Sequence, residues 1–136
     1  MTISELIVVM AISGTLWGIS TVALVKPQQK ANIDGAVNTL VADIKSQQTK
    51  AMSGDLSSDY KIHFEENSYT LDNFTVTLGN NVKINNITFN NHNLIFEKGS
   101  GEVNFVAGQN SLNISNDNGD EVVNISINKY GTVQTN

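Results

Sequence analysis

Residues 1–25 hold one ionisable side chain, the carboxylate of Glu5, and no basic residue. Residues 3–25 reach the roughly 20 mostly apolar positions that a bilayer span requires. A carboxylate within such a segment costs about 2.5–3.5 kcal/mol on insertion scales. A chain that keeps Glu5 there needs a cation to answer it. The only positive group within the run is the α-amino group of Met1, and a second copy of the chain is its natural source. Glu5 therefore points to assembly rather than catalysis.

Composition narrows the remaining classes. At 136 residues the chain suits one domain plus an attached element. Cysteine is absent, which excludes a disulfide framework and thiolate chemistry. The formal net charge is −5 and every basic residue is a lysine. Without arginine, the favoured side chain for bidentate phosphate recognition, direct nucleic-acid contact is not expected.

The apolar run is a poor secretory signal. It lacks a basic n-region, carries Glu5 where positive charge belongs and has no clear small-residue cleavage site. Lys26 and Lys30 flank it, so charge bias alone would place the C-terminal domain in the cytoplasm. A basic leader ahead of Met1 would reverse that. The expectation is that residue 1 is a processed terminus and that the folded part faces outward.

Thr2, Glu5, Leu6, the apolar run and Gly14 resemble the mature N-terminus of type IV pilins and type II secretion pseudopilins. The resemblance implies several things. Glu5 would neutralise the N-terminal amine of a neighbouring subunit, with Met1 as the processed, methylated residue and Thr2 beside it. Prepilin peptidase and a pilus assembly platform would be partners. The product would be a homo-oligomeric helical filament, membrane-anchored before assembly and extracellular afterwards. The alternative within the family is a minor pilin or a pseudopilin of a secretion or DNA-uptake machine. Met1 stands in place of the usual Phe, Ser4 in place of an aliphatic residue, and Val22 where many pilins have proline. A weaker likeness to the H-type pseudopilin branch lies in residues 36–51 and in the end of the chain around Tyr130-Gly131.

Beyond Lys26 the helical pattern continues. Ile33, Val37, Leu40, Val41, Ile44, Gln48 and Ala51 share one mainly apolar face, and Gly54 reads as the stop. Pro27 interrupts this design and predicts a kink near residues 23–27. Counted through, the helix is roughly 50 residues and about 75 Å long. Gly14 and Gly18 form a small-xxx-small pair, readable either as a close-packing site or as plain low bulk.

After Gly54 the period changes to two. Short alternating runs at 60–64, 68–71, 74–78, 87–89, 94–96, 103–106, 112–115, 122–127 and 132–134 predict antiparallel strands with one dry face. The expected fold is α+β: a long N-terminal helix, apolar in its first half and amphipathic in its second, packed on a β-rich head. The expected division is 1–26 membrane or filament-core helix, 27–54 amphipathic helix and 55–136 head.

No site chemistry stands out in the head. Asp117, Asp120 and Glu121 surround Asn118-Gly119, which reads first as a hairpin turn and only weakly as a calcium loop. The acidic pairs Asp55/Asp59 and Glu65/Glu66 read as solvated surface. His63 and His92 lack metal-ligand spacing, and His63 reads as an exposed strand position. Sequons at Asn73, Asn86, Asn113 and Asn124 fit the N-glycosylation pattern, and chance in so Asn-rich a chain explains most of them. No catalytic set and no cofactor are expected.

Overall fold

The computed structural model describes residues 2–54, 60–104 and 106–136, with the backbone alone for 18–25. The expected surface pair Asp55/Asp59 lies outside the described residues, as do Met1 and the side-chain environment of Gly18 and Val22. The chain is α+β. One helical element, α1 (Ile3–Ser53), precedes β1 (Tyr60–Phe64), β2 (Ser68–Leu71), β3 (Phe74–Thr77), β4 (Val82–Asn85), a short 3-10 turn (Asn90–His92), β5 (Asn93–Phe96), β6 (Ser111–Asn116), β7 (Val122–Ile127) and β8 (Val133–Thr135). It divides into two units, Met1–Ala31 and Asn32–Asn136.

The second unit contains the last part of α1 and both sheets. Ile33, Val37, Leu40, Ile44 and Ala51 are buried along the helix at spacings of four, three, four and seven. That stripe turns once per 3.5–3.6 residues and faces one side only. The helix ends where the sequence places a glycine. Gly54 takes φ +69° and its N–H donates to the Lys50 carbonyl at 3.2 Å, the left-handed stop that a residue without Cβ adopts freely. A second orphan carbonyl, that of Ala51, accepts the Gly99 N–H at 2.8 Å. Pro27 lies within α1.

Two four-stranded antiparallel sheets share one core with the stripe. Sheet order is β3-β2-β1-β5 in the first and β4-β6-β7-β8 in the second. Tyr60, Ile62, Phe64, Tyr69, Leu94 and Phe96 enter the core from the first sheet. Val82, Ile84, Leu112, Ile114, Ile125 and Ile127 enter from the second. Strict alternation in β1 and β4 aligns these residues on one face, as the pleat requires.

Two expected strand placements need correction, and one strand lies where none is expected. Residues 87–89 are not a strand. Phe89 is buried and stacks on Phe64 with ring centroids 5.5 Å apart, and the left-handed Asn91 and His92 (φ 49° and 58°) turn the chain immediately afterwards. An aromatic anchor followed by a turn mimics a short apolar run. The strand in this region is β4, whose Val82 and Ile84 alternate over only four residues. At 103–106 the ladder is a single bridge, Phe96↔Val103, and Phe105 lies outside the described residues.

A polar side chain that helical spacing groups with the apolar face ties the unit together. Gln48 Nε2 donates to the Tyr130 carbonyl at 2.7 Å and to the Gly101 carbonyl at 3.2 Å. Gly131 (φ +75°) lies against this amide so closely that any Cβ would overlap it. Glycine there answers both the backbone conformation and the space.

Candidate functional site

The N-terminal unit inverts the usual placement of apolar side chains. Every residue from Thr2 to Trp17 is exposed. Among the described residues this includes nine large apolar side chains, from Ile3 (83% exposed) through Leu6, Ile7, Val8, Val9, Met10, Ile12 and Leu16 to Trp17 (82%). They surround the helix rather than forming a stripe, so no one face is distinguished as inward. Covering nine such side chains is worth about 15–25 kcal/mol as an upper estimate. A helix apolar all round belongs in a lipid or protein interior.

Within residues 2–17 the hydroxyl side chains are all self-contained. Ser13 Oγ donates to the Val9 carbonyl at 2.7 Å, and Thr15 Oγ1 to the Ile12 carbonyl at 2.9 Å. Such back-bonding to the preceding turn satisfies a hydroxyl without water. Thr2 Oγ1 and Ser4 Oγ lie 2.9 Å apart and bond each other. Glu5 differs, because a carboxylate has about four lone-pair sites to satisfy.

One of these sites is taken locally. Glu5 Oε2 accepts the Thr2 backbone N–H at 2.8 Å, while the Thr2 carbonyl accepts the N–H groups of Glu5 (3.1 Å) and Leu6 (3.3 Å). This is half of a capping box, Thr-x-x-Glu, with the glutamate reaching back to the cap residue. The signal is present in the sequence as Thr2-Ile3-Ser4-Glu5, and reading Glu5 only as an intermolecular partner overlooks it. The carboxylate also lies in the first turn of its own helix, beside backbone N–H groups that have no partner within the helix. The expected partner group, the Met1 amine, lies outside the described residues.

The other residues expected to matter have plainer surroundings. A Cβ built on Gly14 would meet nothing within 4 Å, so its low bulk is unused within one chain. Gly18 lies outside the described side chains. Pro27 is exposed. Among the described residues no helix is long and apolar enough to cross a membrane. The expected span at 3–25 includes positions 18–25, whose side chains fall outside that description.

In the head, Asp117–Asp120 forms the tip of the β6–β7 hairpin. Gly119 takes φ +74°, and its N–H donates to the Asn116 carbonyl at 3.1 Å. Asp117 faces Lys83 Nζ at 3.4 Å, and the same ammonium lies 3.1 Å from Glu66. The hydrogen bond and charge of Glu66, then those of Asp117, push the Lys83 pKa up. Among the described residues no three His, Cys, Asp or Glu side chains group to hold a metal ion. His63, expected on the surface, is half-buried, with Nδ1 2.8 Å from Asn93 Oδ1 across the β1–β5 pair.

No family model, no curated protein and no solved structure matches the chain.

Proposed function

We propose that this chain is a pilin-like structural subunit that polymerises through residues 1–26 into an extracellular filament. The observation supporting this reading is the sheath of uncovered apolar side chains on residues 2–17, interrupted by one carboxylate. Before assembly, lipid covers the sheath. Afterwards, equivalent helices of other copies do. Lipid and packed side chains are similarly apolar, so the exchange has little hydrophobic cost. It does need a device to set register. Glu5 meeting the terminal amine of a neighbour supplies one, the best-attested use of a buried ion pair.

The local cap gives Glu5 a competing role, and two substitutions separate the roles. Glu5→Gln retains an acceptor for the Thr2 N–H but removes the charge. Glu5→Ala removes both. Filament yield is measured by microscopy and the level of membrane-held chain by immunoblot. The expected outcome is loss of filaments in both variants with the chain level unchanged. Normal filaments from Glu5→Gln would reduce Glu5 to a helix cap and remove the register device.

A further inference from the structure

A groove of about 550 Å³ runs between α1 and the β2–β3 turn, within the Asn32–Asn136 unit. Asp43, Gln47 and Lys50 line it from the helix, and Asp72 and Phe74 from the turn. Gln47 is 2% exposed, and its Oε1 is buried without a hydrogen-bond partner. A buried acceptor left unpaired costs about 1–3 kcal/mol. Its amide nitrogen contacts Asp72 Oδ2 at 3.4 Å, which fixes the orientation: reversing the amide would set its oxygen against the carboxylate.

Asp43, Gln47 and Asp72 each contribute an acceptor to this lining. Asp43 and Gln47 are one helical turn apart, with Cβ atoms about 5–6 Å from each other. Asp43 uses Oδ2 for the Tyr69 hydroxyl at 2.6 Å, and Asp72 uses Oδ2 for Gln47. The second oxygen of each carboxylate has no hydrogen-bond partner among the described residues. Asp72 is held at φ +50°, a left-handed conformation that Asp and Asn tolerate better than other residues with a Cβ. Phe74, 67% exposed, adds a ring face at the mouth.

We propose that this groove receives the ammonium group of a lysine from a second copy of the chain. The inference rests on the filament reading and specifies one of its contacts. An ammonium has three N–H donors for three acceptors, and a ring nearby favours a cation. Lysine is the cation this chain can offer, since all its basic residues are lysines. Lys83 and Lys129 are engaged with acidic partners of their own head and Lys50 lines the groove itself, whereas Lys26, Lys30, Lys45 and Lys61 are exposed and make no ion pair among the described residues.

The test uses filaments grown from a mixture of unlabelled and nitrogen-15-labelled full-length chain, treated with a carbodiimide that couples neighbouring carboxylates and amines. Mass spectrometry should find Asp43 or Asp72 joined to a lysine of the other isotope. Asp43→Asn with Asp72→Asn keeps the Tyr69 acceptor and the left-handed turn. It should abolish that cross-link and shorten the filaments, with no fall in the thermal midpoint of the monomer in detergent. Gln47→Leu should weaken assembly as well, with an unchanged or raised midpoint, an opposition that a purely structural role would not produce. The proposal is overturned if cross-links at these aspartates join residues of one copy only, or if the double variant polymerises like the wild type. Saturable calcium binding lost in the double variant would overturn it too, assigning the acceptors to a metal ion. Should the wild-type chain not polymerise, the filament reading falls by itself. The proposal then stands or falls on whether the carbodiimide traps dimers through Asp43 or Asp72.

Discussion

The two units use the same kinds of side chain in opposite ways. In the Asn32–Asn136 unit, most Ile, Val, Leu and aromatic residues are buried or half-buried and covered by their own chain. In residues 2–17 the same residue types are exposed among the described residues. One region satisfies its hydrophobic requirement by folding; the other leaves it open. An open requirement of this size is what the filament proposal answers, with lipid first and other copies afterwards. The contrast therefore separates what the chain does alone from what it does in company.

The comparison is tested most sharply with a pair of matched truncations. Leu40→Ala empties a fully buried position and should destabilise the head by about 2–5 kcal/mol, seen as a lowered denaturation midpoint. Leu16→Ala removes the same atoms from an exposed position. It should leave the head midpoint unchanged while reducing filament yield. Equal effects of the two on head stability would erase the distinction between the units.

A smaller effect is expected where helix and sheet meet through a polar contact. Burial, then the hydrogen bond and charge of Asp43, push the Tyr69 hydroxyl pKa well above its ordinary value of 10.0. The folded state thus holds this proton more firmly than the unfolded chain. Its contribution is full below about pH 10, where the unfolded phenol is protonated, and is lost as pH rises beyond that. Tyr69→Phe should lower head stability by about 1.5 kcal/mol at neutral pH. Its stability should then fall less steeply above pH 10, as followed by denaturant melts across that range.

The smallest effect belongs to the surface. Lys83 bridges Glu66 and Asp117 across exposed side chains, where screening and side-chain entropy cancel most of the attraction. Lys83→Met should shift the thermal midpoint by no more than the scatter of repeated scans, at low or high salt. A large salt-dependent loss would show that the two acidic groups repel strongly without it.

Much of this arrangement is legible in residue order. The stripe from Ile33 to Ala51 and the stop at Gly54 follow from helical spacing and from glycine's access to positive φ. The hairpin at Asn118-Gly119 follows from turn chemistry. The failures have physical reasons. Val82–Asn85 offers two alternations, too few to compete with the turn residues before it. Ile87-Thr88-Phe89 looks like strand because periodicity cannot distinguish a ladder from an aromatic anchored on Phe64. The capping role of Glu5 is readable in Thr-x-x-Glu but is eclipsed by the residue's longer-range meaning. The groove acceptors are not readable, since Asp43 and Asp72 lie far apart in sequence and only the β2–β3 turn brings Asp72 to Gln47. Gln48, grouped with the apolar face by spacing, acts instead through its amide.

That amide has a mechanical consequence. Gly101 follows the last strand of one sheet, and Tyr130 sits in the final hairpin of the other. A single glutamine thus rivets the helix to both halves of the head. Tension drawn along the helix at this level is split between two loads instead of peeling one sheet first.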